Sequence, residues 1–355
     1  MEKMVSPKFW QGRRVFLTGH TGFKGSWLAI WLDKLGAEVH GYALPPPTSP
    51  ALFDCARVGE RLHSTIGDLR DQAGLAAALR AASPEVVFHL AAQPLVGEGY
   101  RDPVGTYATN VMGTVNLLEA ARHQPGLRSI VAITTDKCYA NDELGLPFRE
   151  SDPLGGHDPY SSSKACTELV CAAYRQSFLA EAGIPLATAR AGNVIGGGDW
   201  AADRLVPDLL RDLSAGRCAS LRNPHAVRPW QHVLEPLCGY LMLAEALFAS
   251  SEHARAWNFG PEASDCVSTG QLAKLLCEAW GNDAKWAHTA TNFPHEAKLL
   301  SLDAGAAKKM LKWRPKWSLK EAIRHTADWH RAWLAGEDMR AVCLAQIEQY
   351  TQEEQ

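Results

Sequence analysis

No stretch of this 355-residue chain is long and apolar enough to span a bilayer. The opening MEKMVSPKFWQGRR lacks the apolar core of a secretory leader. Lysines and arginines are scattered, 36 against 39 acidic residues, so neither nucleic acid nor a membrane surface is an expected partner. The nine cysteines include no CxxC pair, which speaks against a structural zinc or a disulfide framework. The thirteen histidines contain no HExxH and there is no GxSxG, so neither a metal nor a serine hydrolase is indicated. These absences leave a soluble, cytoplasmic, globular protein. Its 46% hydrophobic content can fill a substantial core.

What is present is an alternation. Short β-rich runs stand at 14–19, 38–43, 62–68, 85–91, 129–135 and 185–192. Helical patterns lie between them, and in GSWLAIWLDKLG the residues Trp27, Leu28, Trp31, Leu32 and Leu35 fall on one face. Near-continuous apolar strands separated by helices predict a doubly wound parallel sheet of Rossmann type. That α/β domain is expected over 1–191, with a helix and strand at about 235–260 returning to it. A smaller, mainly C-terminal α+β substrate domain is expected over about 192–234 and 261–350. The chain ends in a polar tail, TQEEQ.

FLTGHTGFKGSW reads as a strand, a tight turn and a helix. Gly19, Gly22 and Gly25 form a GxxGxxG that permits the turn, close approach of a pyrophosphate and tight helix packing. The helix N-terminus then offers amide donors to phosphate. A P-loop does not fit, because Lys24 precedes Gly25. NAD is the expected cofactor, although HGYALPPP has no acid at the end of the second strand to bind its ribose. Asp68 and Leu69 in IGDLRD are candidate contacts on the adenine side.

Two further stretches carry chemistry. In PYSSSKA, Tyr160 and Lys164 are one helical turn apart and share a face. A neighbouring ammonium and a cationic nicotinamide would both favour the phenolate, which could take a proton from a sugar hydroxyl. ITTDKCY ends an apolar strand in two hydroxyls, an acid and an amine. Asp136 beside Lys137 is either a solvated surface pair or a proton donor and acceptor aimed into a cleft.

TGHTGFKG, GDLRD, HLAAQ, NVMGTVNLLEA, TTDK, PYSSSK, RAGNVIGGGDW and RPWQHV together resemble the extended short-chain dehydrogenase/reductase superfamily. Within it the chain is similar to the nucleotide-sugar 4,6-dehydratases. Lysine at the third place of Thr135-Asp136-Lys137, with AAQPLV and GNVIGGGDWAADRL, resembles the branch that acts on CDP-glucose. The resemblance implies C4 oxidation by Tyr160 and Lys164, with Thr135 on the C4 oxygen, Asp136 as acid and Lys137 as base of a dehydration. These roles require Asp136 protonated and Lys137 neutral, states that a dry cleft favours. The resemblance further implies NAD contacts from Thr21, Phe23, Lys24, Leu90, Ala91 and Ala92 beside the glycines. Substrate contacts would come from Gln93, Asn193, Asp199, Trp200, Arg204 and Arg228, the last on the diphosphate. Asn110 is expected to tie helices to strands, and His89 to assist near the cofactor without acting as a catalyst. Arg101 is a candidate to replace an arginine that the family often carries where this chain has Gly97. The helices at 105–123 and 161–183 resemble the pair that forms a homodimer interface. A 4-epimerase would share Tyr160, Lys164 and NAD without needing Asp136-Lys137, and a redox-inactive nucleotide sensor is the alternative from another class.

Overall fold

The computed structural model describes residues 5–143, 145–281, 283–289 and 299–352; the last three residues of the polar tail lie outside it. Seven parallel strands form the main sheet: β1 (Arg14–Thr18), β2 (Glu38–Ala43), β3 (His63–Ile66), β4 (Val86–His89), β5 (Ser129–Ile133), β6 (Leu186–Ala191) and, later in the chain, Ala256–Phe259. Their spatial order is β3-β2-β1-β4-β5-β6, with Ala256–Phe259 beside β6. This is the doubly wound arrangement that the alternating apolar runs predicted. The order reverses between β1 and β4, so the crevice at the carboxyl ends of the strands is the place for a ligand.

The central strands are buried on both faces: Val15, Leu17, Val86, Phe88, Ile130, Val131, Leu186 and Ala187 are all at 0% exposure. Each of these side chains larger than alanine contributes about 1.5–3 kcal/mol relative to leaving it in water. Helices cover both faces, Phe23–Lys34 on one and Gln72–Ala82 on the other. The first differs from the one-sided reading. It is buried continuously from Gly25 to Leu32, because the helix Met339–Gln352 packs on its outer side, with Tyr350 edge-on to Trp31 at 5.8 Å.

Three smaller strands follow β6: β7 (Asn193–Ile195), β8 (Ala219–Leu221) and β9 (Val227–His232). Beyond β10 (the Ala256–Phe259 strand) come β11 (Cys266–Ser268) and β12 (Trp286–His288). They make a three-stranded sheet, β11-β9-β7, and a two-stranded one, β12-β8. Helices Leu205–Ser214, Thr269–Trp280 and Leu319–Leu334 share one apolar cluster with them, including Leu209, Leu272 and Ile323. A capping box of Ser318 with Glu321 starts the last of these helices. Both long helices after β4 and β5 contain a π-helical turn, Ala108–Met112 and Arg175–Leu179. Among the described residues no helix is long and apolar enough to cross a membrane.

Candidate active site

At the carboxyl edge of the sheet a cleft of ≈ 570 Å³ is lined by the start of the first helix, the turn after β5, the Tyr160 helix, the β7 loop and β9. The glycine turn precedes Phe23 and Lys24, which line it. Gly19 has φ +79°, and a Cβ there would lie 2.7 Å from the Ala91 nitrogen. A Cβ on Gly25 would sit 2.0 Å from the Gly19 carbonyl oxygen. Gly22 is different: its nearest neighbour would be 3.4 Å away. Packing therefore requires glycine at 19 and 25, while Gly22, the N-cap of Phe23–Lys34, keeps open space above a helix N-terminus. That cradle fits a pyrophosphate. Thr21 fastens the turn through its hydroxyl to the Leu44 carbonyl at 2.8 Å.

The helix Pro159–Tyr174 begins at Asp158, whose carboxylate accepts from the Ser161 amide at 3.0 Å, with Pro159 in its first turn. Tyr160 thus sits in that first turn, facing the short helical turn Asp136–Cys138. The Thr135 hydroxyl stands near the Tyr160 phenol and favours its phenolate. The Thr135 hydroxyl also donates to Asp136 Oδ1 at 3.0 Å and receives the Lys137 amide at 3.4 Å. Asp136 is 2% exposed, and its Oδ2 has no hydrogen-bond partner among the described residues. Lys137 is half-buried and lines the cleft with it. The pair therefore lies in the cleft wall and not on an open surface.

The electrostatics depart from expectation in one respect. Burial pushes Tyr160 up to about 12, against a smaller lowering by Thr135 and Arg204. The Lys164 ammonium donates to the Ile133 carbonyl at 2.9 Å, and burial lowers its pKa to about 8. The protein alone therefore keeps the phenol protonated: desolvation outweighs the lowering by Thr135 and Arg204, the groups that favour the phenolate here. Lys24 enters the same cleft, lowered to about 8 by burial and then by the charges of Arg204 and Lys164.

On the far side, Asn193 presents a buried Oδ1 without a partner among the described residues. Arg228 lines the cleft at 2% exposure, its Nη1 donating to the Val227 carbonyl at 2.9 Å. Arg204 pairs with Asp199 at 2.8 Å. Trp200 does not reach the lining; its ring packs edge-on against Trp329 and Trp333 at 5.6 and 5.1 Å. Gln93 is likewise engaged elsewhere: its amide donates to Thr106 and its backbone NH to Asn110. Loop residues Leu95–Gly97 line the cleft in its place. Arg101 pairs with Glu98 at 3.1 Å, its side chain 67% exposed, and its Nε donates to the Gly97 carbonyl at 3.5 Å; it is not among the cleft-lining residues. Leu69 is a 4% exposed core residue, and Asp68 is held by Arg70. Leu90 and Ala91 bond to the Thr18 carbonyl and hydroxyl and stand beside Gly19, with Ala92 following them.

Asn110 ties the loop after β4 to the helix Pro159–Tyr174, bonding Gln93 and the Ser163 hydroxyl. His89 is wedged between the Thr18 and Thr114 hydroxyls and lowered by burial to about 3, so it is a neutral scaffold group. Sequence reading missed Asp203, Asp208, Arg222 and Asn223 at the distal mouth. Asp203 has φ +64°, an αL conformation that no local motif announced. One cluster bears on the expectation of no metal: Glu38, His40 and His63 place donor atoms within 4.8 Å of one another. It lies on the outer strands β2 and β3, at their amino ends, opposite the cleft.

The model of the GDP-mannose 4,6 dehydratase family matches residues 16–326. The chain belongs to this family. A CDP-glucose 4,6-dehydratase of Salmonella typhimurium is 48% identical over 353 residues, covering 98% of each chain. A dTDP-glucose 4,6-dehydratase of Streptomyces griseus is 30% identical over 90% of this chain and 95% of its own. Among solved structures, the dTDP-glucose 4,6-dehydratase of Streptomyces venezuelae with NAD and TYD bound has a TM-score of 0.77 at 26% identity, covering 92% of this chain and 99% of that one. The UDP-glucose 4-epimerase of Thermotoga maritima, at TM-score 0.79 and 23% identity over 90% of this chain and 99% of its own, shares the fold. Dehydratases and epimerases thus stand on one scaffold, so the fold alone does not separate them.

Proposed function

We propose that the protein converts CDP-glucose to CDP-4-keto-6-deoxyglucose with NAD. The observation that carries this reading is the Thr135-Asp136-Lys137 turn set against Tyr160 in one cleft. Gly19, Gly22 and Gly25 would hold NAD, which would supply the hydride acceptor for C4 and the hydride donor for C6. Tyr160 takes the C4 hydroxyl proton, helped by the Lys164 charge, while Thr135 binds the C4 oxygen. The C4 ketone acidifies C5, where Lys137 removes the proton as Asp136 protonates the departing C6 hydroxyl; C5 is then reprotonated. Buried Arg228, Asn193 and the Arg204–Asp199 pair hold the diphosphate and sugar. A guanidinium is suited to phosphate oxygens, and the surplus of cationic groups in the cleft attracts a nucleotide dianion.

Support for the cytidine substrate comes from the 48% identical Salmonella relative. Exposed Val104, Tyr107, Met112 and Leu169 on the helices after β4 and β5 support a homodimer. The nine unpaired cysteines suit a cytoplasmic setting.

The test is incubation with NAD and CDP-glucose in deuterium oxide, with dTDP-, GDP- and UDP-sugars alongside. Expected is loss of water with one deuterium gained at C5, for CDP-glucose alone. An isomer without mass loss would mark an epimerase. Asp136→Asn should lower dehydration by about 10²–10⁴-fold while hydride removal from C4 persists.

A further inference from the structure

We infer that the buried Glu168–Arg190 ion pair is a positioning device for the elimination, clasping both ends of the turn that carries Asp136 and Lys137. The inference rests on the dehydratase reading above. Glu168 lies one turn beyond Lys164 and two beyond Tyr160 on the same helix face. Its side chain and that of Arg190 are each 3% exposed. Glu168 Oε1 accepts from the Thr134 hydroxyl and from Arg190 Nε at 2.9 Å. Oε2 accepts from Thr188 at 2.7 Å and from Arg190 Nη2 at 2.8 Å. Arg190 continues the network, its Nη1 donating to the Tyr139 hydroxyl at 2.8 Å, and the guanidinium lies 4.8 Å from the centre of that ring. Tyr139 in turn donates to Asn258 at 2.7 Å.

Thr134 immediately precedes Thr135, and Tyr139 immediately follows Cys138. An ion pair that served only to tie a helix to a strand would need neither. Here a single pair grips the residues on both sides of the reactive turn and fixes them to the helix bearing Tyr160 and Lys164. C4 oxidation depends on the helix; elimination depends on how the turn sits relative to it. Loosening the clasp should therefore slow elimination more than oxidation. The reduced cofactor and the 4-keto hexose would then build up on the enzyme, with no atom or electron unaccounted for.

Thr134→Val and Tyr139→Phe each release one end while leaving the ion pair in place. The holoenzyme, mixed rapidly with CDP-glucose, is followed by absorbance of the reduced nicotinamide and by product formation. Expected in both variants is a kcat lowered about tenfold, a KM within about threefold of wild type, and a raised steady-state level of reduced cofactor. Thr134→Ser should restore wild-type behaviour. Glu168→Gln, if it folds, should show the same signature more strongly. A wild-type level of reduced cofactor in Thr134→Val and Tyr139→Phe overturns the inference, whether or not their rates fall. Wild-type enzyme that yields no dehydrated sugar overturns the functional reading instead, which separates the two failures.

Discussion

Lys164 is the residue whose protonation this site exposes most directly to pH. Burial lowers it to about 8 while it leans on the Ile133 carbonyl, and the neighbouring phenol is pushed up to about 12. The working form, tyrosinate beside lysinium, holds one proton fewer than the form that dominates below about 8, so its share grows as pH rises to about 8. Above about 8 it holds as many protons as the neutral phenol beside the neutral lysine, so its share levels off. The rate for CDP-glucose should therefore rise with pH and flatten near about 8, and in Lys164→Met it should keep climbing past that point with kcat/KM lowered by about 10²–10⁴-fold. Initial rates across pH check it: a wild-type profile without a break between about pH 7 and about pH 9 would remove Lys164 from this role. Residue identity was readable at this scale, and side-chain direction was not. Gln93 and Trp200 carry suitable groups, but the first is drawn into bonds with Asn110 and Thr106 and the second into a cluster with Trp329 and Trp333. Trp329 and Trp333 lie far along the chain, and Gln93 meets Thr106 and Asn110 from an irregular loop, so no local pattern points to either set of contacts.

The glycine turn shows what an element can and cannot tell in advance. Its three glycines look equivalent in TGHTGFKG, yet two are required by contacts with Ala91 and with Gly19 itself, and one is not. Gly25→Ala should destabilise the fold by about 1–3 kcal/mol, since its Cβ meets backbone that cannot rotate away. Gly22→Ala should leave the melting temperature nearly unchanged and weaken NAD about tenfold, equivalent to about 1.4 kcal/mol. Thermal melts and calorimetric NAD titration separate the two, and equal loss of stability in both would refute the distinction. The strands were legible because burial on both faces enforces apolar runs, as in the wholly buried SIVAI. The π-helical turns at 108–112 and 175–179 were not, because one extra residue per turn barely disturbs a helical apolar pattern. The burial of Gly25–Leu32 on both sides depended on Met339–Gln352, more than 300 residues later, which no window on the sequence can weigh.

For the whole molecule, the outward apolar side chains of the helices after β4 and β5 predict association. Val104, 78% exposed, is the position to disturb: Val104→Arg should shift the protein toward monomer in sedimentation without changing its circular dichroism. Cohesion between distant parts of one chain runs instead through Glu235, at the start of the helix Leu234–Ala249. Its buried carboxylate accepts the backbone NH groups of Lys316 and Trp317 at 3.1 and 2.8 Å and the Tyr350 hydroxyl at 2.7 Å. Burial outweighs these bonds and raises its pKa from 4.5 to about 7. In the unfolded chain the group loses its proton near the lower value, and in the folded chain near the higher. Between them the unfolded state alone is ionised, so this contribution is complete below 4.5 and fades as pH rises to about 7. At about 1.4 kcal/mol per pKa unit, the decline is on the order of 3 kcal/mol. Glu235→Gln cannot titrate. Urea unfolding of both proteins near pH 5 and pH 7.5 should therefore show the variant gaining on wild type as pH rises. A difference that stays constant would mean that Glu235 is ionised in the folded protein throughout, held by its three donors against the cost of burial.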